Sequence, residues 1–302
     1  MKKFIGYQGS SQQHWQRELE VNKVVAQLRH EHMVRFIASF QRQDKGQPAY
    51  CLLHEWADGG NLHDFWYTHS PILSESLVEE AVGQFLGLAK ALCAIHYPEM
   101  EVPYSCHGNL RPGKILRFQG NGVIGTLKIG GWGHRKLKTP TTGISISKGG
   151  HAPLDHVLYE PPEGRERIYS HFGDIWAMGC IIFEFMIWLL EGVHGLERFH
   201  SVLFSLSGPT QYYYATVQRI VGKEEVELND LVTEEMDRIK SHPACEEGAL
   251  HELLDLVRGR LLVIDLPVSL GRQEKDEEKP CRARTTELVA TLENIFKGAK
   301  GG

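Results

Sequence analysis

"HGNLRPGKIL", residues 107 to 116, decides how the rest of the 302-residue chain is read. A histidine, a glycine-asparagine turn and a proline lead into an Ile-Leu run, the pattern of a loop that feeds a strand. The positions where chemistry would want an acid hold Asn109 and Lys114. The loop is kept and the acid is gone.

Downstream, "GVIGTLKIGGWG" (122–133) reads as a second β-like run ending in glycines. Upstream, Val78, Val82, Phe85, Leu86, Ala89 and Cys93 trace one face of a long helix. "ADGGN" (57–61) is a chain break, and before it "MVRFIASF" (33–40) and "AYCLLHEW" (49–56) form a hairpin about the polar turn "QRQDKGQP". Ser10 and Gln13 have capping-box spacing ahead of an amphipathic helix carrying Val21, Val24, Val25 and Leu28, which ends near His30. Residues 134–158 are polar and without periodicity, a length that marks a functional or mobile loop. Helical patterns return in the apolar run from 175, at 249–262 and at 282–297, with "GRQEKDEEKP" (271–280) as a solvated charged loop.

Composition sets wider bounds. With 42% hydrophobic and 24% charged residues the chain can bury a large core in one domain or two lobes. A net charge of -5 and 16 scattered histidines give no basic stripe, which argues against nucleic acid or a membrane surface as partner. Six cysteines without a C-x-x-C pair suit neither a zinc knuckle nor a disulfide framework, and a reducing cytosol fits them. The N-terminal residues show no apolar signal region, so a cytoplasmic location is expected. The run 175–190 contains Glu184 and falls short of the roughly 20 residues of a membrane span, so it is read as a core helix.

Taken together and in order, these pieces resemble the protein kinase superfamily. "HGNLRPGKIL" is similar to the catalytic loop H-R-D-x-K-P-x-N-I-L, and "LKIGGWG" to the strand and D-F-G that follow. "YEPPE" (159–163) resembles A-P-E, "GDIWAMGCIIFE" the long buried helix with Asp174 at its start, and "RARTTEL" (282–288) the closing R-x-x-x-x-E-L. "ADGGNLHDFW" and "EFMIWLLEG" further resemble kinase-like proteins of filamentous fungi. The resemblance implies an α+β two-lobe fold of serine/threonine kinase-like type. A partial small lobe would occupy 1–57, a mainly helical large lobe 58–298 and a tail 299–302. Matching "MKKFI" to V-A-I-K-K-I puts the strand lysine at Lys2 and its helix glutamate at Glu20, with nothing before Met1 to supply a Gly-rich loop. His54 would be the gatekeeper, and the backbone of Glu55, Trp56 and Ala57 would face an adenine. His107, Asp174, Glu163 and Arg282 would be structural, the last two as an ion pair.

The same resemblance implies damaged chemistry. Phosphoryl transfer needs an acid to orient the hydroxyl nucleophile and metal ions to hold the phosphates. Asn109 stands at the base position, Gly131 and Lys114 replace the metal ligands, and Arg111 replaces the lysine that meets the transferred phosphate. Asp155, the next acid after the loop, belongs to the 134–158 segment and is no substitute. Gly108 replaces the arginine that would bind a phosphate on the segment holding Thr139, Thr141, Thr142, Ser145 and Ser147. The expectation is an impaired kinase-like domain, a pseudokinase, acting as an interaction or scaffold module for protein partners. It would take no Mg²⁺, and ATP at most weakly, through Lys2, Lys114 and Arg111. The alternative is an active serine/threonine kinase with a non-standard metal site.

Overall fold

A computed structural model describes residues 2–4, 10–44, 47–98, 106–132, 145–146, 158–166, 168–206, 213–220, 223–267 and 280–301. Strands β1 (Lys2–Phe4), β2 (Phe36–Asp44) and β3 (Gln47–His54) form an antiparallel sheet in the order β1-β3-β2. Lys2 pairs with Leu52 on one edge of β3 and Ser39 pairs with the same residue on the other. Both edges of β3 are thus satisfied and helix α1 (Ser10–Leu28) packs against the strand, in which Ala49, Tyr50, Cys51 and Leu52 are buried in succession. Trp15 fixes the helix on the sheet, its indole N–H donating to the Cys51 carbonyl at 3.2 Å. The hairpin strands run further than the apolar pattern does, to Asp44 and from Gln47, because the exposed polar residues there need only ladder partners.

Residues 55–61 carry the chain out of the sheet and into a large helical body. Asn61 caps α2 (Leu62–Thr68) by accepting from the Asp64 N–H, and Ser74 caps α3 (Glu75–His96) by accepting from Leu77. Hairpin β4 (Ile115–Phe118) and β5 (Thr126–Ile129) presents the 106–114 loop on one side and residues 130–132 on the other. The Glu80 carboxylate of α3 accepts the N–H groups of Val123, Ile124 and Gly125, at 2.9, 2.8 and 3.0 Å, and so sets the entry into β5. Ser145–Ile146 (β6) pairs with Ile168–Tyr169 (β7). Most of the 134–158 loop, with Asp155 and the Thr139, Thr141, Thr142 and Ser147 positions, lies outside the described residues, as do 271–279.

Helix α4 spans His171–Leu206, longer than the apolar run, with a break at Gly192 where φ is 66°. It is the one described helix long and apolar enough to cross a membrane, and 89% of its most apolar window is buried inside the protein. Its aromatic residues make the core: Phe185 stands edge-on to Phe85 at 5.1 Å, and Trp188 lies 5.1 Å from Phe65. Beyond it come a hairpin, β8 (Tyr214–Ile220) and β9 (Lys223–Leu228), then α5 (Asp230–Lys240), α6 (Gly248–Leu256) with a π-helical turn at Val257–Leu261, and α7 (Thr285–Gly301). Helix α7 packs along α3 and continues through Gly301, so the residues expected as a loose tail from 299 are a last helical turn.

One buried cation ties these parts together. Arg282, 0% exposed, is bidentate to Glu163 at 2.7 and 3.2 Å. It also donates to the Val263 and Phe172 carbonyls and lies 4.9 Å from the Trp176 ring centroid. Removing one partner of a buried pair leaves the other charge uncompensated. Arg282→Ala is expected to cost about 3 to 5 kcal/mol of unfolding free energy in a denaturant titration; an unchanged midpoint would show that the pair does not hold the fold.

Candidate active site

The site is built on Asp174, buried in the first turn of α4. Its Oδ2 accepts the His107 N–H at 2.7 Å and faces His96 Nε2 at 2.8 Å, while Oδ1 accepts the Gly108 N–H at 2.7 Å. His96 in turn meets Thr285 Oγ1 at 2.5 Å, so the loop is tied to α3, α4 and α7 through one carboxylate. Burial works to raise the Asp174 carboxyl, but the hydrogen bond and charge of His96, with His107 and the Gly108 N–H, hold it below the usual carboxylate range. Gly108 has φ 66°, where a side chain would be strained by about 1 to 2 kcal/mol. The arginine-to-glycine change therefore also relaxes the turn.

His107 is pinned as a neutral imidazole. The Asn109 N–H approaches Nδ1 at 3.3 Å, which leaves Nε2–H to donate to the Gly130 carbonyl at 3.0 Å. Burial lowers its pKa, partly opposed by the Asp174 charge. Trp132 stands edge-on to this ring at 4.9 Å and donates its indole N–H to Ile129. The Trp132 carbonyl accepts from Asn22 Nδ2 at 3.5 Å. Because Nδ2 also donates to the Glu18 carbonyl, Asn22 Oδ1 is the acceptor for His54 Nε2–H at 2.8 Å. His107, Trp132, Asn22 and His54 thus form one continuous link from loop to sheet.

Helix α1 turns one of its acidic residues inward. Glu20 is exposed on α1, because its helical neighbours Val21, Asn22 and Val25 take the inward face. Glu18, one turn before Asn22 on that face, is the acidic residue that the helix turns inward. Lys2 lies in β1, and its side chain is outside the described residues.

Around the missing acids the geometry is definite. Asn109 is 7% exposed and lines a small cleft with Leu110, Tyr159, Glu160 and Pro161. Arg111 is half-buried near Tyr159, and burial lowers its pKa. Lys114 is fixed by two backbone hydrogen bonds, its N–H to the Arg111 carbonyl and its carbonyl from Gly130 N–H, both 2.8 Å. Its side chain lies across Gly131. A Cβ at 131 would meet Lys114 Cδ at 2.8 Å and Nζ at 3.3 Å.

The connection after β3 differs from a simple adenine-facing strip. Glu55 turns its carboxylate back to accept the Arg35 N–H at 2.8 Å and to pair with Lys128 at 3.0 Å, and its own N–H goes to the Arg35 carbonyl. Trp56 is 81% exposed and projects its indole into solvent. Ala57 accepts from Gly60 in the turn that follows. The Glu55 carboxylate thus braces the connection and lines a cavity with Arg29, Arg35 and Lys128, while the Trp56 side chain leaves it.

Residues 1–202 match the family model described as protein kinase domain. The chain belongs to the protein kinase domain family. It is 28% identical over 190 residues to serine/threonine-protein kinase 36 of Pongo abelii, covering 61% of this chain and 12% of that protein. It is 24% identical over 259 residues to serine/threonine-protein kinase Nek8 of Danio rerio, covering 84% of this chain and 34% of that protein. The chain thus spans about a third or less of the length of these curated relatives.

A kinase domain implies Mg²⁺ held by an aspartate of the D-F-G turn and a catalytic-loop asparagine. Here the donor set is a glycine and an ammonium, and Lys114 fills the space a side chain at 131 would need. Mg²⁺ takes oxygen ligands, so these residues do not fit it. No cluster of three or more His, Cys, Asp or Glu side chains suited to a metal occurs among the described residues.

The kinase A-P-E segment is also held from beneath. Glu184, 0% exposed in α4, accepts from Tyr159 Oη at 2.6 Å and Tyr213 Oη at 2.9 Å and faces His200 Nε2 at 3.0 Å. Burial and the Glu184 charge push both tyrosines well above their usual range, so they remain donors. For His200, burial works to lower the pKa, but the charge and hydrogen bond of Glu184 raise it. A raised folded pKa stabilises fully below the unfolded value, about 6.5 for histidine, and that contribution is lost as pH rises through the folded value. The stability difference between the natural chain and His200→Gln should therefore be largest near about pH 6 and shrink towards about pH 9; a difference that stays flat across that range would show that His200 is not charged against Glu184.

Proposed function

We propose that this kinase domain transfers no phosphoryl group and serves as an interaction or scaffold module for protein partners in the cytoplasm. The observation that carries the reading is the Lys114 side chain lying across Gly131, with its ammonium where a metal-binding carboxylate would reach. Asn109 adds to it. An amide can neither accept the hydroxyl proton nor carry the charge that steers the nucleophile, and losing a general base alone costs about 10² to 10⁴ in rate. Everything around these positions is kept as structure: the Asp174 hub, the His107 and Trp132 contact, and the Arg282 and Glu163 pair. A chain that retains the packing and loses base and metal ligands together is suited to presenting a surface.

Purified protein with MgATP is expected to incorporate no labelled phosphate into itself or generic acceptors above a control without protein. Incorporation that persists in a mass-verified, contaminant-free sample and vanishes in Lys2→Met would establish an enzyme instead.

A further inference from the structure

A cavity of about 540 Å³ is bounded by the end of α1, the start of β2, Glu55 and Lys128 of β5. We propose that it is a docking site for a segment of a protein partner that presents an apolar side chain flanked by carboxylates. The inference deepens, and rests on, the reading of the domain as an interaction module.

The wall of the cavity is apolar. Val25, Met33 and Val34 line it and are each 4% exposed or less, and Phe36 joins them half-buried. Ile37, next in the chain, is the residue that the bulge between Phe36 and Ala38 leaves without a partner on β3, and it stands 50% exposed. The volume lies in the range of natural ligand pockets, roughly 300 to 1,000 Å³.

The rim carries an excess of cations. Arg29, Arg35 and Lys128 share it with Glu31 and Glu55. Lys128 is paired with Glu55 at 3.0 Å, which leaves two guanidinium groups against the Glu31 carboxylate on a chain whose net charge is -5. Burial and the neighbouring His32 hold the His30 pKa below its usual range, so this ring adds no charge at neutral pH. Neither guanidinium has a hydrogen bond, ion pair or ring contact among the described residues; Arg35 is bound to Glu55 through its backbone alone.

A solvated surface arginine would meet that description, and the backbone of Arg29 sets it apart. It is the first residue beyond α1 and the one described non-glycine residue with positive φ, 46°. Glycine or asparagine is favoured at such a helix end, so arginine there is strained, and no contact within the chain makes use of its side chain. Its use lies outside the chain. Guanidinium groups match carboxylates in planar, bidentate geometry, whereas a bare anion would leave the apolar wall uncovered. A segment with an apolar residue between acidic ones satisfies both surfaces.

The test uses the immobilised full chain and a pool of acetylated, amidated pentapeptides with Leu or Phe at the centre and Asp or Glu at the flanking positions. Control pools carry Asn or Gln at the flanks, or Ser at the centre. Retained peptide is read by mass spectrometry beside each variant's thermal midpoint. The natural chain is expected to retain the acidic, apolar pool about fivefold over either control, and Arg29→Gly and Arg35→Gln should each lower that retention about threefold. Arg29→Gly should do so with its midpoint unchanged or raised, because glycine relieves the left-handed backbone; a residue kept for structure alone would move the midpoint and not the retention. Equal retention of the three pools, or retention undiminished in both arginine variants, would overturn the inference. Retention of acidic peptides whatever their central residue would overturn it in favour of a simple anion site. If Arg29→Gly does not fold, Arg35→Gln and the three pools on the natural chain decide it. A failure of docking leaves the non-catalytic reading intact, whereas phosphotransfer in the labelling assay removes that reading whatever the pools do.

Discussion

A single buried carboxylate organises the site. Asp174 receives two backbone N–H groups of the 107–108 turn and one histidine, and each would otherwise be an unsatisfied polar group in the interior. Breaking any of these contacts costs the desolvation of what remains, about 1 to 3 kcal/mol for a neutral group and more for a charge. The loop conformation is therefore enforced by packing and polar satisfaction, with no reference to a reaction. That is why "HGNLRPGKIL" can keep its shape after its acid is gone.

The substitutions within the loop are mutually consistent. Gly108 occupies a left-handed turn that a side chain would strain, and Gly131 vacates the space that Lys114 crosses. Asn109 keeps the shape of an aspartate in a nearly closed cleft without bringing a charge that would have to be neutralised there. Each change removes either a strained side chain or an uncompensated carboxylate.

What the sequence made legible follows from which forces are local. The helix face through Val82 and Phe85 and the hairpin of β2 and β3 are set by periodicity within a few residues, and they could be read directly. Asp174, Glu163 and Arg282 could be named because they sit in recognisable strings, although their partners lie 66 to 119 positions away. Glu20 is exposed, and counting residues from Lys2 does not see which face a helix turns inward; Asn22 between Val21 and Val25 fixes that face only once the sheet is present. The β8–β9 hairpin went unread because its strands are short and carry mostly half-exposed or exposed residues. Glu184 was seen only as a charge in an apolar run, since its three partners come from residues 159, 200 and 213.

Helix α4 explains why so much kinase wording survives without kinase chemistry. It carries Asp174 in its first turn and Glu184 ten positions later, about 15 Å along the axis at 1.5 Å per residue. Trp176 between them meets the Arg282 guanidinium. An apolar helix that buries two carboxylates must find donors for both at fixed heights, and the loop at 107 and the segment at 159 supply them, while Arg282 donates to the Phe172 carbonyl of the same helix. Losing one donor string would leave a charge stranded in the core, whereas losing Asn109's acid or the carboxylate at 131 strands nothing. The fold therefore protects the motifs that satisfy its own interior and leaves the chemical positions free to change.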